Sequence, residues 1–117
     1  MAYGRQELGE PYRRISVQEA LEMLAAGALI VDVRRPDEWV TGHATGAVHI
    51  PVDDVLERAE GELPKDRDLL FICAAGVRSG LAAEMASALE FNPEHLYNIE
   101  SGTPVWIQQG LPVETGD

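Results

Sequence analysis

The sequence predicts an α/β fold, a single domain in which a mainly parallel central sheet of about five strands is flanked by helices on both faces. Two apolar segments, Ala28–Val33, which is rich in β-branched residues, and Asp68–Cys73, are typical of strands buried on both faces of a parallel sheet. Helical segments separate the predicted strands, which is the pattern of the α/β class. No repeat, linker or low-complexity tract divides the chain, and 117 residues suffice for one hydrophobic core.

The first half of the chain opens with a predicted edge strand, Tyr12–Ser16, whose Ile15 points inward. A helix follows, because Ser16 and Glu19 form a capping box and Gly27 supplies a left-handed stop. The buried strand Ala28–Val33 then leads into a turn. Further elements of this half are predicted as a helical turn at Glu38–Val40, a strand at Ala47–Ile50 stopped by Pro51, and an acid-capped helix ending near Gly61.

The second half continues the alternation of strands and helices after Asp68–Cys73. Val77–Glu90 is predicted as a helix whose alanine-rich face can pack closely against a sheet. His95–Ile99 is a third strand and Thr103–Gly110 a last short helix, and the residues after it form a tail. Functional sites of parallel sheets lie in the loops after the carboxyl ends of the strands, and Cys73 stands at such an end.

Composition excludes several classes of partner. The chain has 9 Lys and Arg against 20 Asp and Glu, a formal net charge of -11. Binding to nucleic acid or to an anionic membrane surface requires a basic face, so neither is expected. No segment approaches the roughly 18 consecutive apolar residues of a membrane span, and no apolar stretch of signal-peptide length begins the chain. We expect a cytoplasmic protein with a flexible lead-in over residues 1–10 and one domain over residues 11–117.

Cys73 is the only cysteine, which excludes both a disulfide within the chain and a cysteine-only zinc site. The three histidines are scattered without metal-ligand spacing, so we expect no metal site. A free thiol has a pKa of about 8.5, and helix N-termini and nearby cations lower that value. The reactivity of Cys73 therefore depends on the residues that follow it.

Small or unobtrusive side chains follow the thiol, so backbone N–H groups can turn inward there. These residues are Ala74, Ala75, Gly76 and Val77. Gly76 permits the positive φ that a tight cradle requires. Arg78 and Ser79 begin the next helix and bring its positive dipole end toward the sulfur. A cysteine that only fills the core does not require an arc of inward-facing amides closed by an arginine. The pattern therefore favours a reactive thiol over a buried hydrophobic residue.

Three segments, in order along the chain, resemble rhodanese-type sulfurtransferases. CAAGVRS is similar to the active-site loop of that family, LIVDVRRPDEWVTGHATGAVHIPVDDV to its strand–turn segment, and NIESGTPVWIQQGLPVE to its closing segment. The resemblance implies that Cys73 takes a sulfane sulfur from a donor as a persulfide and passes it to a thiol or cyanide. It also implies that the loop Ala74–Ser79 cradles the persulfide, with amides from Ala74 to Arg78 stabilising the added sulfur, and that no cofactor is needed.

The same resemblance implies that Asp32, Arg34 and Glu38 brace the active-site loop through ion pairs, with Arg78 tied to an acid there. Asp32 interrupts an apolar run, so its carboxylate needs a partner or a backbone N–H, and we interpret it as structural. The histidines and tryptophans nearby are interpreted as hydrogen-bonding braces and packing residues, namely His43, His49, Trp39 and Trp106.

Two other functions are considered. Cysteine phosphatases and arsenate reductases have five residues between cysteine and arginine, whereas four separate Cys73 from Arg78, and a smaller ring suits a single sulfur atom. A rhodanese-like binding or regulatory module without turnover, docking a protein partner through its acidic surface, is the second alternative. The presence of Cys73 weighs against such a module.

The absence of a basic residue among Ala74–Val77 predicts the class of sulfur donor. Many family members have a basic residue inside the loop, where this chain has Ala74 and Ala75. Together with the net negative charge, this weakens the attraction of small dianions. We therefore expect thiosulfate to be a poor donor and a protein persulfide or a low-molecular-weight persulfide to be the working one, with a carrier protein among the possible partners.

Overall fold

The computed structural model describes residues 3–117. The strands along these residues are β1 (Arg13–Ile15), β2 (Leu29–Asp32), β3 (His43–Ala44), β4 (Val48–His49), β5 (Leu69–Ile72), β6 (Leu96–Ile99) and β7 (Val113–Glu114). The helices are α1 (Val17–Ala25), α2 (Pro36–Trp39), α3 (Val55–Glu62), α4 (Val77–Ala88) and α5 (Gly102–Gln108). Short 3-10 turns at Val52–Asp54 and Pro93–His95 precede α3 and β6.

The central sheet has the strand order β1-β6-β5-β2-β4, and each neighbouring pair is parallel. This order confirms the predicted α/β fold with a parallel sheet of five strands, and it places β5 in the middle. The predicted tail is wrong in part, because β7 pairs antiparallel with β3 as a separate two-stranded sheet. A strand of two residues has no hydrophobic periodicity of its own, so neither β3 nor β7 has a signal in the sequence.

Side chains that alternate along the strands enter two hydrophobic layers on opposite faces of the sheet. On one face, Phe71 and Leu96 pack with α3 and with the alanine-rich side of α4. On the other face, Leu70 and Ile72 pack with α1 and α5, including Trp106. Helices therefore cover both faces as predicted. Cys73 continues the alternation of Leu69 and Phe71, so its side chain lies on the α4 face.

The predicted helix boundaries follow from local chemistry. The Ser16 hydroxyl accepts the Glu19 amide at 3.1 Å, and the Glu19 carboxylate accepts the Ser16 amide at 3.0 Å, which is the expected capping box. The helical turn predicted at Glu38–Val40 starts earlier, at Pro36, because proline is well suited to the first helical position. No helix among residues 3–117 is both long enough and apolar enough to span a membrane.

The segment before β1 lies along that edge strand. Arg5 and Arg14 exchange two backbone hydrogen bonds of 3.0 and 2.8 Å, and the Gly4 amide donates to Glu19 at 2.7 Å. The Arg5 guanidinium also forms two hydrogen bonds to the Glu100 carboxylate, at 2.7 and 2.9 Å. The predicted flexibility of residues 1–10 stays a prediction, and Met1 and Ala2 lie outside the described residues.

Candidate active site

The loop that carries Cys73 connects the central strand β5 to α4, and it requires glycine. Gly76, the N-cap of α4, has a φ of 92°, which is in the left-handed region. A Cβ atom at Gly76 would also lie 2.5 Å from the carbonyl oxygen of Glu100. From the other side, Gly102 (φ 81°) packs directly on the Ala74 carbonyl, and the Thr103 amide donates to the Cys73 carbonyl at 2.8 Å. The loop, which leads into α4, therefore packs against the segment from Glu100 to Thr103 at the start of α5.

The Cys73 thiol is buried, with 1% of the residue exposed, but its surroundings are polar. The Gly76 amide donates to Sγ at 3.1 Å, and the Ser79 hydroxyl lies 3.2 Å from Sγ. Burial raises the pKa of Cys73, but the Ser79 hydroxyl, which can turn to donate to the thiolate, and the surrounding backbone amides, of which Gly76 is within hydrogen-bond distance, outweigh it. The pKa of the thiol is therefore lower than its usual value, as a nucleophile at neutral pH requires.

The inward-facing donors are fewer than the sequence predicts. Among residues 3–117, no hydrogen bond joins Sγ to the amides of Ala74, Val77 or Arg78. Val77 points outward and is 80% exposed. The donors that act on the sulfur come from the centre of the loop and from the first turn of α4, where the helix dipole also favours negative charge.

Arg78 is tied to Glu38 of α2. Its guanidinium donates to both carboxylate oxygens, at 2.6 and 3.0 Å, and both side chains are less than a third exposed. The hydrogen bonds from Arg78 hold the pKa of Glu38 at about 2, well below its usual value. The structure thus places an acid of this turn against the arginine that closes the loop. That the pair braces the loop during catalysis stays a prediction.

Asp32 and Arg34 pair with each other and not with the loop. The buried Asp32 carboxylate accepts the backbone amide of Arg34 at 3.0 Å and its Nη2 at 2.8 Å. Arg34 Nη2 also donates to the Gly42 carbonyl at 2.7 Å. In the described part of the chain, no hydrogen bond or ion pair links either residue to residues 73–79. The geometry closes the turn after β2, which matches the structural interpretation of Asp32.

The two histidines of this turn stack on Trp39. The rings of Trp39 and His43 are 3.4 Å apart, and those of Trp39 and His49 are 4.6 Å apart. His43 Nδ1 donates to the Trp39 carbonyl and His49 Nε2 to the Arg34 carbonyl, each at 2.8 Å. Because a carbonyl only accepts, these contacts fix both ring orientations. The histidines act as braces, and Trp106 is buried in the α1–α5 layer.

Sequence analysis missed Asn98, a buried residue in the middle of β6. Its side chain accepts the Ser79 hydroxyl at 2.6 Å and donates to the Gly76 carbonyl at 3.0 Å. A signal was present, because Asn98 interrupts an apolar strand as Asp32 does. Thr103 was also missed, and its buried hydroxyl has no hydrogen-bond partner among the described residues.

Two surface clefts border the loop. One, of about 340 Å³, is lined by Val33, Arg35, Pro51, Val52, Asp53 and Arg78. The other, of about 520 Å³, lies between α4 and β6 and includes Gly76, Val77, Leu81, Asn98 and Glu100 in its wall. Residues of the loop lie in the wall of each cleft, but Cys73 itself lines neither of the two.

Comparison with known proteins identifies the family. The sequence model of the rhodanese-like domain family matches residues 16–109 of this chain. The chain is 34% identical over 107 residues to the thiosulfate sulfurtransferase GlpE of Pseudomonas entomophila, covering 89% of this chain and 92% of that protein. It is 33% identical to a rhodanese-related protein from Thermoplasma volcanium, with a TM-score of 0.78 and coverage of 88% and 98%.

A third relative has a different description. The chain is 32% identical over 110 residues to the HTH-type transcriptional regulator Rv0324 of Mycobacterium tuberculosis, covering 93% of this chain but only 48% of the regulator. The chain thus corresponds to about half of that protein. Because the family model matches most of its length, this chain belongs to the rhodanese-like domain family.

Proposed function

We propose that this protein is a sulfurtransferase that carries a sulfane sulfur on Cys73 as a persulfide. One observation carries the proposal: the Gly76 amide, at 3.1 Å, and the Ser79 hydroxyl, at 3.2 Å, converge on the sulfur of the only cysteine, and such contacts favour the thiolate despite its burial. A purely structural cysteine in an apolar site has its pKa raised instead. The relatives named as sulfurtransferases support the same reaction class.

The reaction is a double displacement at sulfur. The Cys73 thiolate attacks the outer sulfur of a donor persulfide, so that a new Sγ–S bond forms while the S–S bond of the donor breaks and a thiolate leaves. A thiol or cyanide acceptor then attacks the outer sulfur and releases the Cys73 thiolate. Electrons balance within each displacement, so neither an oxidant nor a reductant is consumed. The Gly76 amide and the Ser79 hydroxyl stabilise the anionic sulfur in both steps.

We propose a persulfide, of a protein or of a small thiol, as the working donor in preference to thiosulfate. The two cations on the smaller cleft are already matched by acids, Arg78 by Glu38 and Arg35 by Asp37. Asp53 adds a further negative group to the same wall. A small dianion therefore finds no unmatched cation there, whereas a persulfide carries less charge at the reacting end.

The test is intact mass spectrometry after incubation with glutathione persulfide. We expect a gain of one sulfur atom, about 32 Da, which cyanide removes as thiocyanate. Because Cys73 is the only cysteine, the adduct has a single possible thiol site, and Cys73→Ser is the matched control. A kcat/KM for thiosulfate well above that for glutathione persulfide would contradict the proposed donor while leaving the sulfurtransferase reaction in place.

The second candidate is a binding module without turnover. The observation that favours it is the 1% exposure of Cys73, since a nucleophile must reach its substrate. One relative is named as a transcriptional regulator, which supports a role in a larger assembly. Absence of any adduct with glutathione persulfide, in protein shown to be folded, would favour the module over the enzyme.

A further inference from the structure

A buried chain of hydrogen bonds runs from the Cys73 sulfur to the Ser79 hydroxyl and from that hydroxyl to Asn98. The Gly76 carbonyl can only accept, so the Asn98 amide nitrogen, 3.0 Å away, must be the donor to it. The oxygen of the Asn98 side chain therefore faces Ser79, whose hydroxyl donates to it at 2.6 Å. The orientation of Asn98 is thus set by the backbone of the loop that holds the nucleophile.

The Ser79 hydroxyl has one hydrogen and two possible acceptors. While that hydrogen is directed at Asn98, the Ser79 oxygen presents only lone pairs to Sγ, 3.2 Å away. In this arrangement the Ser79 oxygen can accept a hydrogen bond from the neutral thiol, and its lone pairs destabilise the thiolate. When the sulfur becomes anionic, the hydroxyl must rotate toward Sγ, and the buried oxygen of Asn98 loses its donor. Asn98 and the anionic sulfur therefore compete for the same hydrogen.

Close packing keeps this network in place. A Cβ atom at Gly80 would lie 3.2 Å from the Asn98 amide nitrogen and 3.0 Å from the Tyr12 hydroxyl, so glycine allows α4 to approach β6. Among the described residues, the charged and titratable groups around the network form no hydrogen bond to Ser79 or Asn98. Glu84, in the wall of the same cleft as Asn98, forms no ion pair with another described residue, whereas the other groups are paired. These pairs are Arg78 with Glu38, Arg34 with Asp32, Arg5 with Glu100, and Tyr12 with Glu10.

We propose that Asn98 is a positioning residue that controls the ionisation of Cys73 by holding the Ser79 hydroxyl hydrogen away from the resting thiol. The inference deepens the proposed sulfurtransferase function and rests on it for its biological purpose. On ionisation, the thiol proton leaves to solvent base and the Ser79 hydroxyl rotates to donate to the sulfur. The O–H bond of Ser79 stays intact throughout. The same rotation stabilises the Cys73 thiolate when the acceptor removes the outer sulfur.

The test is a double-mutant cycle on the pKa of the Cys73 thiol. The pKa is monitored through the ultraviolet absorbance of the thiolate, with Cys73→Ser as the blank. Asn98→Leu frees the Ser79 hydroxyl and is expected to lower the thiol pKa by about 0.5 to 1, the equivalent of one neutral hydrogen bond. Ser79→Ala removes the donor and is expected to raise the thiol pKa. In the Ser79→Ala background, Asn98→Leu is expected to change nothing, because its effect passes through that hydroxyl.

A merely structural Asn98 gives a different pattern. Loosening of the loop by Asn98→Leu would weaken the amide contacts to sulfur, so the thiol pKa would rise, and it would do so in both backgrounds. That result, or an unchanged thiol pKa, overturns the inference. Thermal unfolding shows whether each variant is folded, and Asn98→Ala is measured in the same way if Asn98→Leu is not. Thiol ionisation is measured without any sulfur donor, so failure of this inference is distinguishable from failure of persulfide formation.

Discussion

Two turns leave neighbouring strands at the same edge of the sheet, and they use their polar groups in opposite ways. After β2, the Asp32 carboxylate and the Arg34 guanidinium pair with each other and with nearby backbone. After β5, the polar groups converge on one sulfur atom, with Gly76 and Ser79 both in contact with it. The first turn satisfies its charges internally. The second directs its donors at the sulfur of Cys73, which we propose as the nucleophile.

The comparison shows how a structural cluster differs from the proposed reactive cluster at the same end of the sheet. Both contain a buried polar residue that interrupts an apolar strand, Asp32 in β2 and Asn98 in β6. Asp32 has permanent partners of opposite charge, so it stabilises one state of the protein. Asn98 accepts a hydrogen bond from the Ser79 hydroxyl, which also contacts the sulfur of Cys73. The four variants below separate these two roles, in order of decreasing effect.

The largest effect is expected for Cys73→Ser. The oxygen is a much weaker nucleophile and cannot form a persulfide, so kcat/KM for sulfur transfer falls by about a thousandfold or more. Because the change is small, the free energy of unfolding is expected to stay within about 1 kcal/mol of the parent value. Transfer assays and denaturant unfolding measure the two quantities. A joint collapse of stability and activity would show that Cys73 is mainly a core residue.

Asp32→Asn is expected to lower the free energy of unfolding by about 3 kcal/mol, because it leaves the buried Arg34 guanidinium without its counter-charge. Persulfide formation in the remaining folded protein is expected to continue, since Asp32 makes no hydrogen bond to the described loop. The control is Asp37→Asn, which breaks an ion pair about 70% exposed on each side. There the loss is expected to be much smaller, because solvent screens an exposed pair. Equal losses of unfolding free energy in both variants would show that the buried Asp32–Arg34 pair stabilises the fold no more than the exposed pair does.

Arg78→Ala is expected to lower sulfur transfer about tenfold, because loss of the cation leaves the Glu38 carboxylate unmatched near the loop and raises the thiol pKa. Arg35→Ala is the comparison variant, since it removes a cation from the same cleft whose guanidinium pairs closely with the exposed Asp37 at 3.1 Å and reaches Glu38 only at 4.0 Å. The thiol pKa and kcat/KM are measured for both variants. Unchanged kinetics in Arg78→Ala would place Arg78 outside the site.

The smallest effect is expected for Glu38→Gln, and it depends on pH. The folded protein holds the pKa of Glu38 at about 2, below its usual value of 4.5, so the ion pair stabilises the fold above pH 4.5. Solvent screening limits this stabilisation to about 1 kcal/mol. We expect unfolding curves of the parent and the variant to differ at pH 7 and to converge as pH falls from 4.5 to about 2. A difference that does not shrink between pH 4.5 and about 2 would contradict the assignment, and Glu57→Gln, an exposed charge loss, is the control.

Much of this architecture could be predicted from local patterns. The capping box of Ser16 and Glu19 predicts the start of α1, and the apolar segment around Phe71 predicts a buried central strand. Cys73, Gly76 and Arg78 are identifiable from their order because the strand, the turn and the helix start are each local structures. The antiparallel pair β3–β7 is different, because its partners are far apart in the sequence and each strand has only two residues.

By itself, the sequence determined the α/β class, the position of the lone thiol at a strand end, and the glycine that allows the loop to turn tightly. These follow from hydrophobic periodicity and from backbone sterics, which act over a few residues. Only the tertiary structure decided which acid binds Arg78 and which residue orients the Ser79 hydroxyl, Glu38 and Asn98 respectively. Glu38 is 40 residues from its partner and Asn98 is 19, and a hydrogen bond at such a separation depends on how strands and helices pack.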